Sequence, residues 1–226
     1  MLHSLNDLMQ SRLRLGDRKV RADEVFFGPK DRKLHYLAVD IGGWFEIDEV
    51  LVSADLLVPP DAQRGWWTLT LDETAIEAAP RWSADGLREP ADLTGWPPII
   101  VGPFGGTYAP MLLYEQMVAR GEATRDGRAE ADDAGDELIF RMDRATEWLG
   151  MPAFGRDGEL GQVEDILFDD ETREIAWLVL GRGGLLNHRT GEVPVSAIRH
   201  MARQGTHLVL DISADEVGTR NEADGS

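Results

Sequence analysis

Five histidines, His3, His35, His188, His200 and His207, are the side chains of this sequence best suited to metal ligation or proton transfer near neutral pH. None is read as having a second His or a carboxylate at the helical spacing that makes a metal site, so structural or surface roles are expected for all five. His35 stands between two inward positions of a strand and is expected to point outward, and His188 is expected in a polar loop. The acidic stretch Asp169–Thr172 has the oxygen donors of a hard-cation site but lacks the longer loop and distal bidentate Glu, and it reads as a solvated hairpin tip. The run Ala131–Glu137 reads as a charged linker at a domain border. Gly102–Gly106 lacks the Lys and the strand-to-helix setting of a phosphate loop. There is no Gly-x-Ser-x-Gly, no activated Ser–His–Asp order, and no Cys at all. The expectation is a protein that is not an enzyme and carries no metal and no cofactor.

Composition narrows the partners. Forty-one acidic residues against 23 basic ones give a formal charge of −18, which repels a phosphate backbone, so no direct nucleic-acid partner is expected. The absence of Cys agrees with a reducing compartment, and the N-terminus lacks the basic start and apolar middle of a secretory signal, so the chain is expected in the cytoplasm. The uncharged stretch Leu93–Tyr114 is long enough to cross a bilayer, but four prolines interrupt it, and no transmembrane segment is expected.

The elements that hold these residues are written twice. Laying Val25–Gly43 over Ile166–Gly184 without gaps aligns Phe27 with Phe168, Arg32 with Arg173, Leu37 with Leu178, and Gly42-Gly43 with Gly183-Gly184. A two-residue insertion then brings Val52–Ala54 onto Val195–Ala197, and Leu69–Ile76 falls on Leu210–Val217. A period this long marks a duplicated domain, not a solenoid. Within each copy the pattern is β. Val20–Phe27 with Leu34–Ile41, and Gln162–Phe168 with Glu174–Leu180, read as hairpins around polar turns. The stretches Val50–Ser53, Trp66–Leu71, Val193–Val195 and His207–Ile212 supply further strands, with short helical turns at Glu73–Ala79 and Ala214–Val217. The run Ile175–Leu180 is apolar at six consecutive positions, so something must cover both of its faces.

The residues Gly161, Val163 and Asp165, the acidic turn Asp169–Thr172, the strand positions Ile175, Leu178 and Val179, and the closure Val193–Ser196 together resemble the PRC-barrel domain. The first copy departs from that pattern, with Ala22 at the place of Val163 and Gly28-Pro29 at the acidic turn. With the insertion placed as above, Leu51 stands where Pro194 does. The resemblance implies small β-barrels of the kind found in the reaction-centre H subunit and in the C-terminal half of a ribosome maturation factor, and it implies no catalysis.

The expected fold class is therefore all-β, with two tandem small PRC-like barrels. Residues 10–80 form the diverged copy, 81–145 a proline-rich linker with a short helix near Met111–Ala119, 146–218 the second copy, and 219–226 a disordered tail. The expected function is a non-catalytic adaptor or scaffold that binds another protein. The alternatives are a small-ligand or metal-binding regulatory module, and an auxiliary subunit of a membrane-associated complex. Each Gly-Gly pair is followed by two bulky apolar residues, Trp44-Phe45 and Leu185-Leu186. These are the candidate binding residues, either as an exposed lip for a partner or as the contact of a pseudo-dimer within the chain.

Overall fold

The computed structural model describes residues 1–42, 48–61, 65–79, 81–83, 86–87, 99–100, 107–108, 142–183, 187–202 and 206–219. The chain divides into two compact units, Met9–Met142 and the combination of Met1–Leu8 with Asp143–Ser226. The fold class is all-β: among the described residues two large sheets carry nearly all the regular structure, and the helices are short.

In the N-terminal unit the strands are β2 (Leu13–Leu15), β3 (Arg18–Phe27), β4 (Leu34–Asp40), β5 (Glu49–Ser53), β6 (Leu57–Val58), β7 (Thr68–Leu69), β8 (Arg81–Ser83) and β9 (Gly86–Leu87). Their order across the sheet is β6-β7-β2-β3-β4-β5-β8-β9. In the C-terminal unit, β13 (Pro152–Gly155), β14 (Gly158–Asp169), β15 (Ile175–Arg182), β16 (Arg189–Pro194), β17 (Ile198–Met201), β18 (Leu208–Leu210) and β19 (Gly218–Thr219) follow the order β17-β18-β13-β14-β15-β16-β19. The two orders match strand for strand through the shared part.

The match extends to single residues. The pairs Ala22↔Val39, Val25↔Leu37 and Phe27↔Leu34 recur as Val163↔Leu180, Ile166↔Leu178 and Phe168↔Ile175, each 141 positions on, and both irregularities of the first ladder recur in the second. Since a one-residue slip turns every side chain to the other face, this agreement preserves the whole inside–outside pattern. The hairpin turns agree as well. Gly28 N–H donates to Lys33 O (3.0 Å) and Arg32 N–H to Gly28 O (3.0 Å), and Asp169 N–H donates to Glu174 O (2.9 Å) and Arg173 N–H to Asp169 O (2.8 Å).

The next ladder corrects the sequence alignment. Val52 pairs with Leu37 and Val193 with Leu178, so the constant offset continues with no two-residue insertion. The two Val-Ser-Ala triplets are not equivalent. Val52 and Ser53 end β5, whereas Val195–Ala197 is itself a 3-10 turn that corresponds to Ala54–Leu56. Ser53, not Leu51, stands at the place of Pro194. Both residues begin the 3-10 turn from an extended backbone, and Ser53 adds its hydroxyl oxygen as acceptor for Asp55 N–H (3.3 Å).

Burial explains the continuous apolar strands. On one face of the N-terminal sheet Val25, Leu37, Val39 and Val52 are buried. On the other, Phe26, Tyr36, Ala38 and Leu51 are closed off by Trp82 of β8, with Met142 packed against the group. Trp82 meets Phe26 edge-on, with centroids 4.9 Å apart at 81°. In the C-terminal unit Ile166, Leu178, Leu180 and Val193 are buried, while Trp177, at the place of Tyr36, is half-buried.

Several short strands lay outside the sequence reading, the first of the chain among them. β1 (Leu2–Ser4) pairs with β14 through Leu2↔Asp169, His3↔Phe168 and Ser4↔Leu167. The long β14 is paired with β13 from Gly158 to Gln162 and with β15 from Gln162 to Phe168, so toward its end β1 covers an edge that β13 leaves and that would otherwise expose backbone donors. The helix α1 (Leu5–Gln10) follows, with Leu5 and Leu8 fully buried.

The stretch Leu93–Tyr114 contains a short antiparallel pairing of β10 (Ile99–Ile100) with β11 (Thr107–Tyr108). The helix expected near Met111–Ala119 lies outside the described residues.

Candidate docking faces

Trp44, Phe45, Leu185 and Leu186 lie outside the described residues, and so does the pseudo-dimer they would build. The backbone that leads into them is described. Asp40 Oδ1 accepts from Gly42 N–H (2.9 Å) and Asp48 N–H (3.3 Å), and Ile41 N–H donates to Asp48 O (2.9 Å). In the other copy Gly183 has φ +100°, and a Cβ there would meet Asn187 O at 2.3 Å, so only glycine suits that place.

A different surface emerges from burial. In β2, Leu13 and Leu15 face the core, which turns Arg14 to the outer side opposite Lys19 of β3 and beside Thr68 of β7. Just before β7, Trp67 is buried and its neighbour Trp66 goes the other way, with 42% of its surface exposed. The Arg14 guanidinium carbon lies 4.5 Å from the Trp66 ring centroid, a cation–π contact that at an exposed site contributes about 0.5–1 kcal/mol.

The C-terminal unit repeats the arrangement with other residues. Phe154 of β13 stands opposite Glu159 of β14 and beside Val209 of β18, and it is 37% exposed. His207 meets it edge-on, with centroids 5.4 Å apart at 83°. His207 occupies the place of Trp66, as Val209 occupies that of Thr68. Among the described residues only Met1, Leu2, Trp66 and Phe154 are large exposed apolar side chains, and the last two belong to equivalent contacts of the repeated fold, Trp66 with Arg14 and Phe154 with His207, where Phe154 stands in the place of Arg14.

The faces differ in charge. Arg14 lies over Trp66, Lys19 stands across from Arg14 and the exposed Arg12 precedes β2, and among the described residues none of the three is in an ion pair, whereas Arg21 farther along β3 is tied to Asp23. The equivalent cross-strand pair in the other unit is Phe154 with the acidic Glu159.

The remaining constellations have structural work. His35 is not solvent-facing as expected. Its side chain is only 10% exposed, and its Nε2 lies 3.0 Å from Asp31 Oδ2 across the hairpin turn. His188 Nε2 lies 3.0 Å from Glu164 Oε2 on an exposed loop, as its polar setting implied. Asp169 Oδ1 accepts from Thr172 N–H (2.9 Å) and Glu171 N–H (3.0 Å). The turn bond from Thr172, the Met1 amine and the Glu171 bond hold its carboxyl at about 2, well below the usual carboxylate range. Glu216 is likewise held at about 2, first by the Ser213 hydroxyl and backbone N–H and then by Arg156. Among the described residues no group of three or more His, Asp or Glu side chains is placed to hold a metal ion, and no helix is long and apolar enough to cross a membrane.

Residues 140–217 match the PRC-barrel domain. No curated protein matches the chain. The PRC-barrel match covers the C-terminal copy, and its characteristic residues now have physical reasons. Gly161 has φ +127°, and a Cβ there would meet Gly181 O at 2.2 Å, so the bulge beside β13 admits only glycine. Asp165 fills the irregularity of β14, where its Oδ1 accepts from Ile166 N–H (2.8 Å) and from Asn6 N–H (3.1 Å) at the start of α1. In the N-terminal copy the buried Glu24 makes the equivalent contact to Val25 N–H (3.0 Å), while Val20 stands in place of Gly161 and β2 pairs with β3 without that bulge.

Proposed function

We propose that the chain is a non-catalytic adaptor, acting in the cytoplasm, in which a PRC-barrel domain and a second, diverged copy of it each present a face to a protein partner. The observation that carries this reading is that the same outward contact of the repeated sheet holds an exposed aromatic ring in each unit, Trp66 against Arg14 in one and Phe154 against His207 in the other. Single apolar residues are common on protein surfaces, but an exposed aromatic ring kept in the same outward contact of both copies, on one side of the contact in the first and on the other in the second, is the pattern of a used surface. Aromatic side chains supply large contact area with few rotatable bonds, which suits them to the centre of an interface. A half-exposed ring is one that a partner can still desolvate.

The experiment compares proteins that co-purify from the native cell with the wild-type chain and with Trp66→Ser, Phe154→Ser and the double variant. The proposal expects a defined partner that is reduced in each single variant and lost in the double variant. Unchanged recovery in the double variant contradicts it.

A further inference from the structure

We infer that the N-terminal face docks a short acidic segment of a partner protein, an assignment that deepens the adaptor reading and rests on it. The face combines Arg14 and Lys19 with the exposed ring of Trp66, and the exposed Arg12 lies two residues before Arg14, in a chain whose formal charge is −18. Arg14 and Lys19 are directly cross-strand, an arrangement of like charges that destabilises a sheet. The copy that matches the PRC-barrel domain shows that the fold does not require it, because Phe154 and Glu159 stand in the same pair. A local cost of this kind is offset when an anion bridges the two cations.

The acidic remainder of the chain selects the kind of anion. A nucleic acid or a bilayer is charged over lengths far beyond this face, and it would bring its charge against the surrounding carboxylates. A short acidic segment ends within the face, and at physiological salt charges more than about 8 Å away are largely screened. The geometry suits an extended peptide. Alternate residues of a strand repeat at about 6.6 Å, so one carboxylate can meet the cross-strand pair of Arg14 and Lys19 while the next is offered to the exposed Arg12 just before β2. Guanidinium groups bind carboxylates in a two-pronged geometry that favours Arg at such a site. The Trp66 ring beside them offers an apolar floor for the intervening side chain.

The test uses the full chain and a fluorescein-labelled peptide of alternating Glu and Val, followed by anisotropy at physiological salt. Parallel titrations use poly-uridylate RNA and vesicles of phosphatidylcholine with phosphatidylglycerol. The inference expects peptide binding that weakens about tenfold in Lys19→Glu and in Arg14→Glu, is retained in Lys19→Arg, and is unchanged in Lys30→Glu on the distant hairpin turn. Near-ultraviolet circular dichroism of each variant shows that its fold is intact. Peptide binding indifferent to Lys19→Glu overturns the inference, as does binding of RNA or vesicles through Lys19 in place of the peptide. If a native partner depends on Trp66 while the acidic peptide does not bind, this inference falls and the adaptor reading stands.

Discussion

Arg32 and Arg173 hold the same left-handed backbone, with φ of 57° and 62°, at the same point of two hairpins whose strands pair in the same register. A side chain in that region crowds the following carbonyl, and it persists because the turn around it fixes the geometry through the Arg N–H bonds to Gly28 O and Asp169 O. One hairpin was copied whole, including a conformation that most residues avoid.

Replacing these arginines separates backbone from side chain. Arg32→Gly is expected to be more stable than Arg32→Ala by about 1 kcal/mol, because both lose the side chain and only Ala keeps the left-handed cost. The same ordering is expected at Arg173. Urea unfolding measures it, and an Ala variant as stable as the Gly variant contradicts the shared turn.

Gly16 and Gly161, two of the positive-φ glycines, make a second comparison. Gly16→Ala adds a Cβ with no neighbour within 4 Å and is expected to cost about 1 kcal/mol, the conformational term alone. Gly161→Ala drives its Cβ against Gly181 O and is expected to cost more than about 3 kcal/mol or to prevent folding of the C-terminal unit. Equal costs contradict the close approach of β14 to β15.

Much of this was legible in the sequence, and the parts that were not have identifiable causes. The hairpins around Gly28–Lys33 and Asp169–Glu174 show themselves because long alternating or apolar strands flank polar turns. β1, β2 and β13 are three or four residues long, too short for periodicity to separate them from loop. The identical Val-Ser-Ala triplets suggested an insertion, but register is set by the buried face of the whole ladder, and three matching residues do not outweigh it. Trp66 and Trp67 are the same residue type with opposite fates. The sequence shows that adjacent strand residues point apart, but not which one faces the core. Asp31 stands four residues before His35, the very spacing the sequence reading took to be absent, and the two meet through a hairpin turn, not a helix.

Trp82 covers the outer face of the N-terminal sheet. Trp82→Ala is expected to destabilise that unit by about 3–5 kcal/mol, the usual cost of deleting a buried large aromatic. Thermal unfolding with near-ultraviolet detection measures it, and a loss under about 1 kcal/mol contradicts the packing on Phe26 and Tyr36.

The same cluster makes an alkaline prediction. Burial first, and the charge of Asp55 second, raise the Tyr36 phenol above its ordinary value. A folded pKa above the unfolded value keeps its full stabilisation below about pH 10 and loses it as pH rises beyond that. Tyrosine ultraviolet titration is expected to show Tyr36 ionising only as the N-terminal unit unfolds, and ionisation near pH 10 in the folded chain contradicts its burial.

At the acid end, Asp169 and Glu216 are both held at about 2. Depressed carboxylates stabilise the fold above their unfolded values near 4 and lose that stabilisation as pH falls toward about 2. Carboxyl titration by nuclear magnetic resonance is expected to place both midpoints near 2, and ordinary midpoints contradict the turn bonds to Thr172 and Ser213.

The docking faces are tested most directly by hydroxyl-radical footprinting of the chain alone and in complex with its co-purified partner. Trp66 and Phe154 are expected to be readily oxidised in the free chain and protected in the complex, while buried Trp67 and Trp82 change little. Protection confined to other surfaces, with Trp66 and Phe154 as reactive in the complex as in the free chain, contradicts the account.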